Sequence, residues 1–172
     1  MLPLPESCQT IVGVMGAGDD ATPEDITRAE ALGEALARAG YTVLTGGRDA
    51  GLMAAALRGA ARVEGSCRVA ILSNSDTEVA PDATLAIVTD LGQGRNVVNV
   101  LSSRVVVAVG SGGPGTASEV ALALKYRRPV VLLSPPPLWR DFFMALGAVE
   151  VAETVEEALV AVKAALSPSP SA

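Results

Sequence analysis

Val105-Val106-Val107-Ala108-Val109-Gly110-Ser111-Gly112-Gly113-Pro114-Gly115-Thr116-Ala117-Ser118-Glu119 is the stretch that decides the fold. Five apolar residues without alternation read as a strand covered on both faces, as in a parallel sheet. Four glycines within the next six residues then form a turn, and residues 116–126 form a helix that Pro129 ends. Glycine gives up the most backbone entropy on folding, so a cluster this dense implies a backbone with special geometry. Strand, glycine turn and helix together are half of a β-α-β unit.

The same order recurs on either side. Upstream, Ile11-Val12-Gly13-Val14-Met15 is a first strand, and Thr22-Pro23-Glu24-Asp25 supplies a cap, a proline at the first helical position and early acids. Ile26, Ala29, Leu32, Gly33, Leu36 and Ala37 then mark one helix face, with Gly40 as the stop. Tyr41-Thr42-Val43-Leu44-Thr45 is a second strand, 51–63 an alanine-rich helix, and Arg68-Val69-Ala70-Ile71-Leu72 a third strand. Leu85-Ala86-Ile87-Val88-Thr89 reads as a fourth strand and 95–103 as a helix. Downstream come Val130-Val131-Leu132-Leu133, a proline connector, a short helix at 139–145, a strand near 149–152 and a last helix with a Thr154/Glu157 capping box. The pattern predicts a single-domain, Rossmann-like α/β fold: a doubly wound parallel sheet of six or seven strands with helices on both faces. Its predicted extent is 11–166, with 1–10 an N-terminal extension and 167–172 a tail without fixed structure.

Composition removes whole classes of function. Thirteen basic against 19 acidic residues give a net charge of -6, the wrong sign for a phosphate-tracking nucleic-acid surface. Aromatic residues are 3% of the chain, too few for base-stacking platforms. Histidine is absent, which excludes histidine-based triads, general bases and metal ligands. Cys8 and Cys67 make no disulfide framework, the N-terminus has no signal-peptide pattern, and no apolar run reaches the ~18 residues of a membrane span. The expectation is a cytoplasmic protein that contacts neither nucleic acid nor membrane and holds no metal through its own side chains.

Ligands of doubly wound sheets lie beyond the carboxyl ends of the strands, and there the glycines gather. After the first strand, Gly16-Ala17-Gly18-Asp19-Asp20-Ala21 fits G-x-G-x-x-A. However, the helix starts later, at Pro23, and the second strand ends in Thr45-Gly46-Gly47 instead of the ribose-binding acid, so NAD is not expected. After the second strand, Gly46 and Gly47 allow close backbone approach, and Arg48 offers a fork to a phosphate or a pterin-like carbonyl edge. An exposed pair with Asp49 is the plainer reading of Arg48. Gly51 and Met53 open the following helix. In the third cluster, Gly112, Gly113, Gly115 and Thr116 present successive N–H groups at a helix start, an anion nest strengthened by the helix dipole. Glu119 is either part of a Thr116-x-x-Glu119 capping box or part of the site. Arg95 opens a helix, where a cation opposes the dipole by ~0.3–1 kcal/mol unless an anion sits beside it. Asn96 and Asn99 share a face of that helix, and Asn96 alternatively caps it.

Three blocks, Thr45-Gly46-Gly47 through Gly51-Leu52-Met53, Gly94-Arg95-Asn96-Val97-Val98-Asn99, and Gly112-Gly113-Pro114-Gly115-Thr116-Ala117-Ser118-Glu119, resemble the molybdenum cofactor carrier proteins. Those belong to a Rossmann-like group shared with the LOG-type nucleoside monophosphate phosphoribohydrolases, often mislabelled lysine decarboxylases. The likeness runs from about Ile11 to Leu166 and takes in Gly13-Val14-Met15-Gly16 and Leu101-Ser102-Ser103. It implies a homo-oligomer, dimer or tetramer, that binds the molybdenum cofactor as cargo without catalysis, protects it and delivers it to molybdoenzymes. By position, the anionic end of that cargo meets Gly46, Gly47 and the 112–116 turn, with Arg95 and Arg48 beside it.

The hydrolase relatives imply the alternative, cleavage of an N-glycosidic bond in a nucleoside 5'-monophosphate by Arg95 and Glu119. This chain departs from them in having Ser111-Gly112-Gly113 for their Pro-Gly-Gly and Asn99 for their methionine. A pyridoxal enzyme needs a Schiff-base lysine. The only lysines, Lys125 near a helix end and Lys163 on an amphipathic helix, suit surface roles, so no pyridoxal phosphate is expected. A third possibility is a partner-binding protein with a vestigial pocket, its oligomer faces on the helices at 51–63 and 116–126, unless these helices simply cover the sheet, which accounts for at least one face of each.

Overall fold

The computed structural model describes residues 10–167. The predicted N-terminal extension and tail lie outside the described residues, except for Thr10 and Ser167. In chain order the elements are β1 (Ile11–Met15), α1 (Pro23–Arg38), β2 (Thr42–Thr45), α2 (Gly51–Ala61), β3 (Arg68–Leu72), β4 (Leu85–Val88), α3 (Arg95–Ser102), β5 (Val105–Val109), α4 (Pro114–Lys125), β6 (Val130–Leu133), α5 (Pro137–Leu146), β7 (Glu150–Ala152) and α6 (Val155–Leu166). A 3₁₀ turn at Gly92–Gly94 leads into α3. The seven strands form one sheet in the order β4-β3-β2-β1-β5-β6-β7, every pair parallel.

The period of two along a strand divides the core into two layers. Val105, Val107 and Val109 face the layer built with α1, α2 and α6, alongside Leu32, Leu57 and Val162. Val106 and Ala108 face the layer of α3, α4 and α5, alongside Val100, Val120 and Phe143. Each helix start has a local cause. Thr22 caps α1 by accepting from Asp25 N–H (3.1 Å), and Thr154 caps α6 by accepting from Glu157 N–H (3.2 Å).

Four boundaries or exposures differ from the sequence reading or decide between its alternatives. First, α4 begins at Pro114 with Gly113 as its cap, so Thr116 lies inside the helix and no capping box with Glu119 forms. A proline fits the first helical position because its missing N–H has no intrahelical partner to lose. Second, α5 begins at Pro137 for the same reason. Third, β4 is not a buried strand: it is the sheet edge, with Leu85, Ala86, Ile87 and Val88 all exposed. Its connection from β3 carries no helix that could cover it. Fourth, α2 takes the sheet-covering reading and not the oligomer face: all its residues except Gly51, Arg58 and Ala61 are buried, beneath α1 and against the sheet. The α1–α2 approach runs through two glycines. A Cβ on Gly33 would lie 2.0 Å from Ala56 O, and one on Gly59 would lie 1.8 Å from Glu30 O.

Candidate functional site

From β1 the chain winds outward through β2, β3 and β4, then crosses back to β5 on the other side of β1. That reversal opens a crevice at the carboxyl ends of β1 and β5, where doubly wound sheets hold their ligands. A cavity of about 650 Å³ lies there, within the usual range for small-molecule sites. It is lined by Gly16, Gly18, Gly46, Arg48, Met53, Arg95, Asn96, Gly113, Gly115, Thr116 and Glu119, all singled out from the sequence. Gly47, Gly51, Gly112 and Asn99 are not on its wall. Gly47 packs on Ala70, Gly51 lies against the Ala17 and Gly18 carbonyls, and Gly112 turns the chain at φ 55° over Thr116. Asn99 is fully buried behind Glu119.

Arg95 reaches back from the first residue of α3 across the backbone at the end of β2. A Cβ on Gly46 would sit 2.0 Å from Arg95 Nη1, so only glycine leaves room for the guanidinium in this pose. Burial pushes the Arg95 pKa down, the nearby Glu119 carboxylate opposes this, and Arg48 adds to it. An arginine stays charged regardless, so the site holds a partly desolvated cation. Its Nε is buried and has no hydrogen-bond partner among the described residues. The guanidinium as a whole carries a desolvation penalty, and an anion bound against the part of it that lines the cavity relieves this.

The turn after β5 supplies donors facing the same space. The first amide of α4 to find a carbonyl is that of Ala117, bonded to Gly113 O (3.0 Å), and Pro114 has no N–H. The amides of Gly115 and Thr116 thus fall among the helix-start donors that have no partner within the helix. A Cβ at Gly113 or Gly115 would meet nothing within 4 Å. Those glycines keep cavity volume open instead of avoiding protein atoms.

The crevice is mixed in charge, with Asp19, Asp20 and Glu119 on its wall beside the two arginines. Arg48 does not pair with Asp49; its Nη2 donates to Asp19 Oδ2 (2.7 Å) in an exposed ion pair of the kind that contributes little. Asn96 does not cap α3, whose cap is Gly94; its Nδ2 donates to Ser118 Oγ (2.8 Å), tying α3 to α4. Asn99 Nδ2 donates to Glu119 Oε1 (2.8 Å), while Asn99 Oδ1 has no partner among the described residues. Sequence reasoning did not find Ser73, Asn74, Thr77 and Gln93, which also line the cavity. The one signal for the first three is a serine- and threonine-bearing turn in a β3–β4 connection with no helical period; Gln93 lies between β4 and α3.

Burial raises the Glu119 pKa, against the Asn99 hydrogen bond and the Arg95 charge, which lower it. The folded chain therefore holds this proton more tightly than the unfolded chain does. Stability present at low pH is lost as pH rises from the ordinary value of 4.5 through the raised value. Glu119→Gln keeps the oxygen that accepts from Asn99 and removes the buried charge. Its melting temperature should exceed that of the parent at neutral pH, and the gap should close below pH 4.5; a constant gap would contradict the assignment.

Comparison with known proteins agrees with this architecture. The model of the SLOG cluster4 family matches residues 9–163. A protein of Archaeoglobus fulgidus is 38% identical over 148 residues, covering 86% of this chain and 91% of its own. The molybdenum cofactor binding protein of Rippkaea orientalis superposes with a TM-score of 0.89 at 42% identity, covering 94% of this chain and all of the other. The molybdenum cofactor carrier protein of Chlamydomonas reinhardtii gives 0.87 at 43% identity, with 92% and 99% covered. The chain therefore belongs to the SLOG cluster4 family, and its structure is similar throughout to the molybdenum cofactor carrier proteins.

Proposed function

We propose that this chain binds the molybdenum cofactor, a phosphorylated pterin dithiolene, holds it without chemistry and hands it on to molybdoenzymes. One observation carries the reading: Arg95, a partly buried cation, shares a cavity with the start of α4. The cargo's oxyanions suit this donor set. Each charge-assisted bond contributes about 1.5–3 kcal/mol net. A few of them, less the cost of ordering, support micromolar binding, about -8.2 kcal/mol. The likeness to carrier proteins at 42–43% identity favours a carrier over an N-glycosidase. Asn99 holds Glu119 in a buried position, which suits a wall residue better than an ionised catalyst.

Anaerobic titration of the purified chain with the cofactor should show saturable binding, one per chain. Incubation with adenosine monophosphate should release no free base. Release of adenine would replace this reading with the hydrolase. Carrier function extends to assembly as a homo-oligomer, for which exposed Leu138, Phe142 and Leu146 on α5 offer apolar surface. Light scattering should give a mass of at least two chains.

Gly115 separates stability from binding. It lies in the first turn of α4 with free space where a side chain would go. Gly115→Ala should stabilise the fold by roughly 0.5–1 kcal/mol through reduced unfolded-state entropy. The added methyl enters the cavity, so affinity for the cofactor should fall about tenfold. A variant that melts higher and binds as tightly would show that the ligand does not approach this turn.

A further inference from the structure

Three uncharged polar residues of the cavity wall lie beyond β3: Ser73, Asn74 and Thr77. We infer that this β3 end of the cavity reads the pterin ring of the cargo, with Asn74 and Thr77 as its specificity-determining residues. The inference rests on the carrier reading above and extends it to parts of the ligand that the anion site does not touch.

The layout of the sheet sets the two ends apart. The anion nest follows β5, and Ser73 follows β3, three positions away in the order β5-β1-β2-β3. At about 4.8 Å per strand that is ~14 Å. Arg95 lies between them, over Gly46 beyond β2. An inorganic phosphate occupies one end only, whereas an elongated phosphorylated fused-ring compound reaches both. Met15 and Met53, buried thioethers, line the same cavity. Such polarisable groups contact ring faces favourably.

The far end is built in advance. Thr77 Oγ1 donates to Asn74 Oδ1 (2.6 Å) and lies 3.2 Å from Ser73 Oγ. That occupies the carboxamide oxygen of Asn74 and leaves its two N–H donors for another partner. The segment is fastened to the β2–α2 loop: Asp49 N–H donates to Glu78 O (3.1 Å), and Ala80 N–H donates to Gly47 O (2.9 Å). Gly92 N–H donates to Ser73 O (3.0 Å), joining it to the turn that carries Gln93. A pterin edge places N–H donors beside carbonyl and ring-nitrogen acceptors. The free N–H donors of Asn74 suit the acceptors of that edge and the hydroxyl lone pairs of Ser73 and Thr77 its donors, a mixture that a charged side chain does not offer.

Binding is measured with a fluorescent pterin monophosphate, the same pterin without phosphate, and inorganic phosphate as competitor. Asn74→Ala and Thr77→Ala should each weaken both pterins five- to twentyfold and leave the phosphate inhibition constant within twofold. Arg95→Ala should do the reverse, weakening phosphate and the phosphorylated pterin but not the bare ring. The inference is overturned if both far-end variants bind pterin monophosphate as the parent does, or if they weaken phosphate equally. Thr77 is half-buried and Asn74 exposed, so if the Thr77 variant fails to fold, Asn74→Ala decides. A parent protein that binds phosphate but neither pterin would overturn the carrier reading, and this inference with it.

Discussion

Arg95→Ala is expected to weaken cofactor binding roughly 10- to 150-fold, the equivalent of one charge-assisted bond of about 1.5–3 kcal/mol. The size follows from its surroundings. Its Nε is buried without a partner, and its guanidinium lies over Gly46 at the cavity wall. The ligand-free protein carries the desolvation cost of the half-buried guanidinium, and an anion on its cavity-facing side offsets it. The empty variant should therefore melt no lower than the parent while its affinity collapses. Arg95→Lys should recover little, since a point charge on a flexible stem cannot reproduce the planar fork. Isothermal titration alongside a thermal melt checks both halves. A variant that loses affinity only in proportion to lost stability would make Arg95 a structural residue.

The largest effect on stability should come from the α1–α2 seam. In an isolated helix, glycine to alanine is favourable by about 1 kcal/mol. At Gly33 and Gly59 the new Cβ would meet backbone oxygens of the facing helix at 2.0 and 1.8 Å. Backbone atoms cannot rotate away as a side-chain tip can, so the helices must separate along a buried face that includes Leu32, Leu36 and Leu57. Each substitution should cost about 3 kcal/mol or more, the upper end for overpacking. In a domain of this size that lowers the melting temperature by roughly 6–12 °C. The double variant should be less damaging than the sum, because the first separation of the helices makes room for the second. Gly115→Ala has the opposite expected sign for the same chemistry, because its Cβ meets nothing.

The succession of strands and helices was legible because the buried parallel strands are unbroken apolar runs and their helices carry their own caps. The 105–119 stretch contains strand, turn and helix start within fifteen residues, and β5 and α4 follow it closely. Arg95 stood out because a cation at a helix start conflicts with the dipole, and the structure gives it a place in the cavity. Glu119 was ambiguous for a local reason: Thr-x-x-Glu spacing mimics a cap, and Pro114, which starts the helix two residues earlier, decides against it. The exposure of β4 was not legible, since an apolar edge strand and an apolar central strand read alike. Gln93 is marked only by its place between Gly92 and Gly94, and Ser73, Asn74 and Thr77 carry no glycine pattern. Those three reach the cavity on a long connection that folds back and pairs Arg48 with Val79, a contact between loops that no local periodicity records.

Delivery is the central claim, and transfer tests it most directly. The purified chain, loaded with molybdenum cofactor without oxygen and freed of excess by gel filtration, is mixed with a cofactor-free molybdoenzyme. The carrier reading predicts one cofactor retained per chain and recovery of acceptor activity in step with its loss from the carrier, with the Arg95→Ala protein delivering little. A chain that emerges from the column empty, or that keeps its cofactor while the acceptor stays inactive, would contradict it.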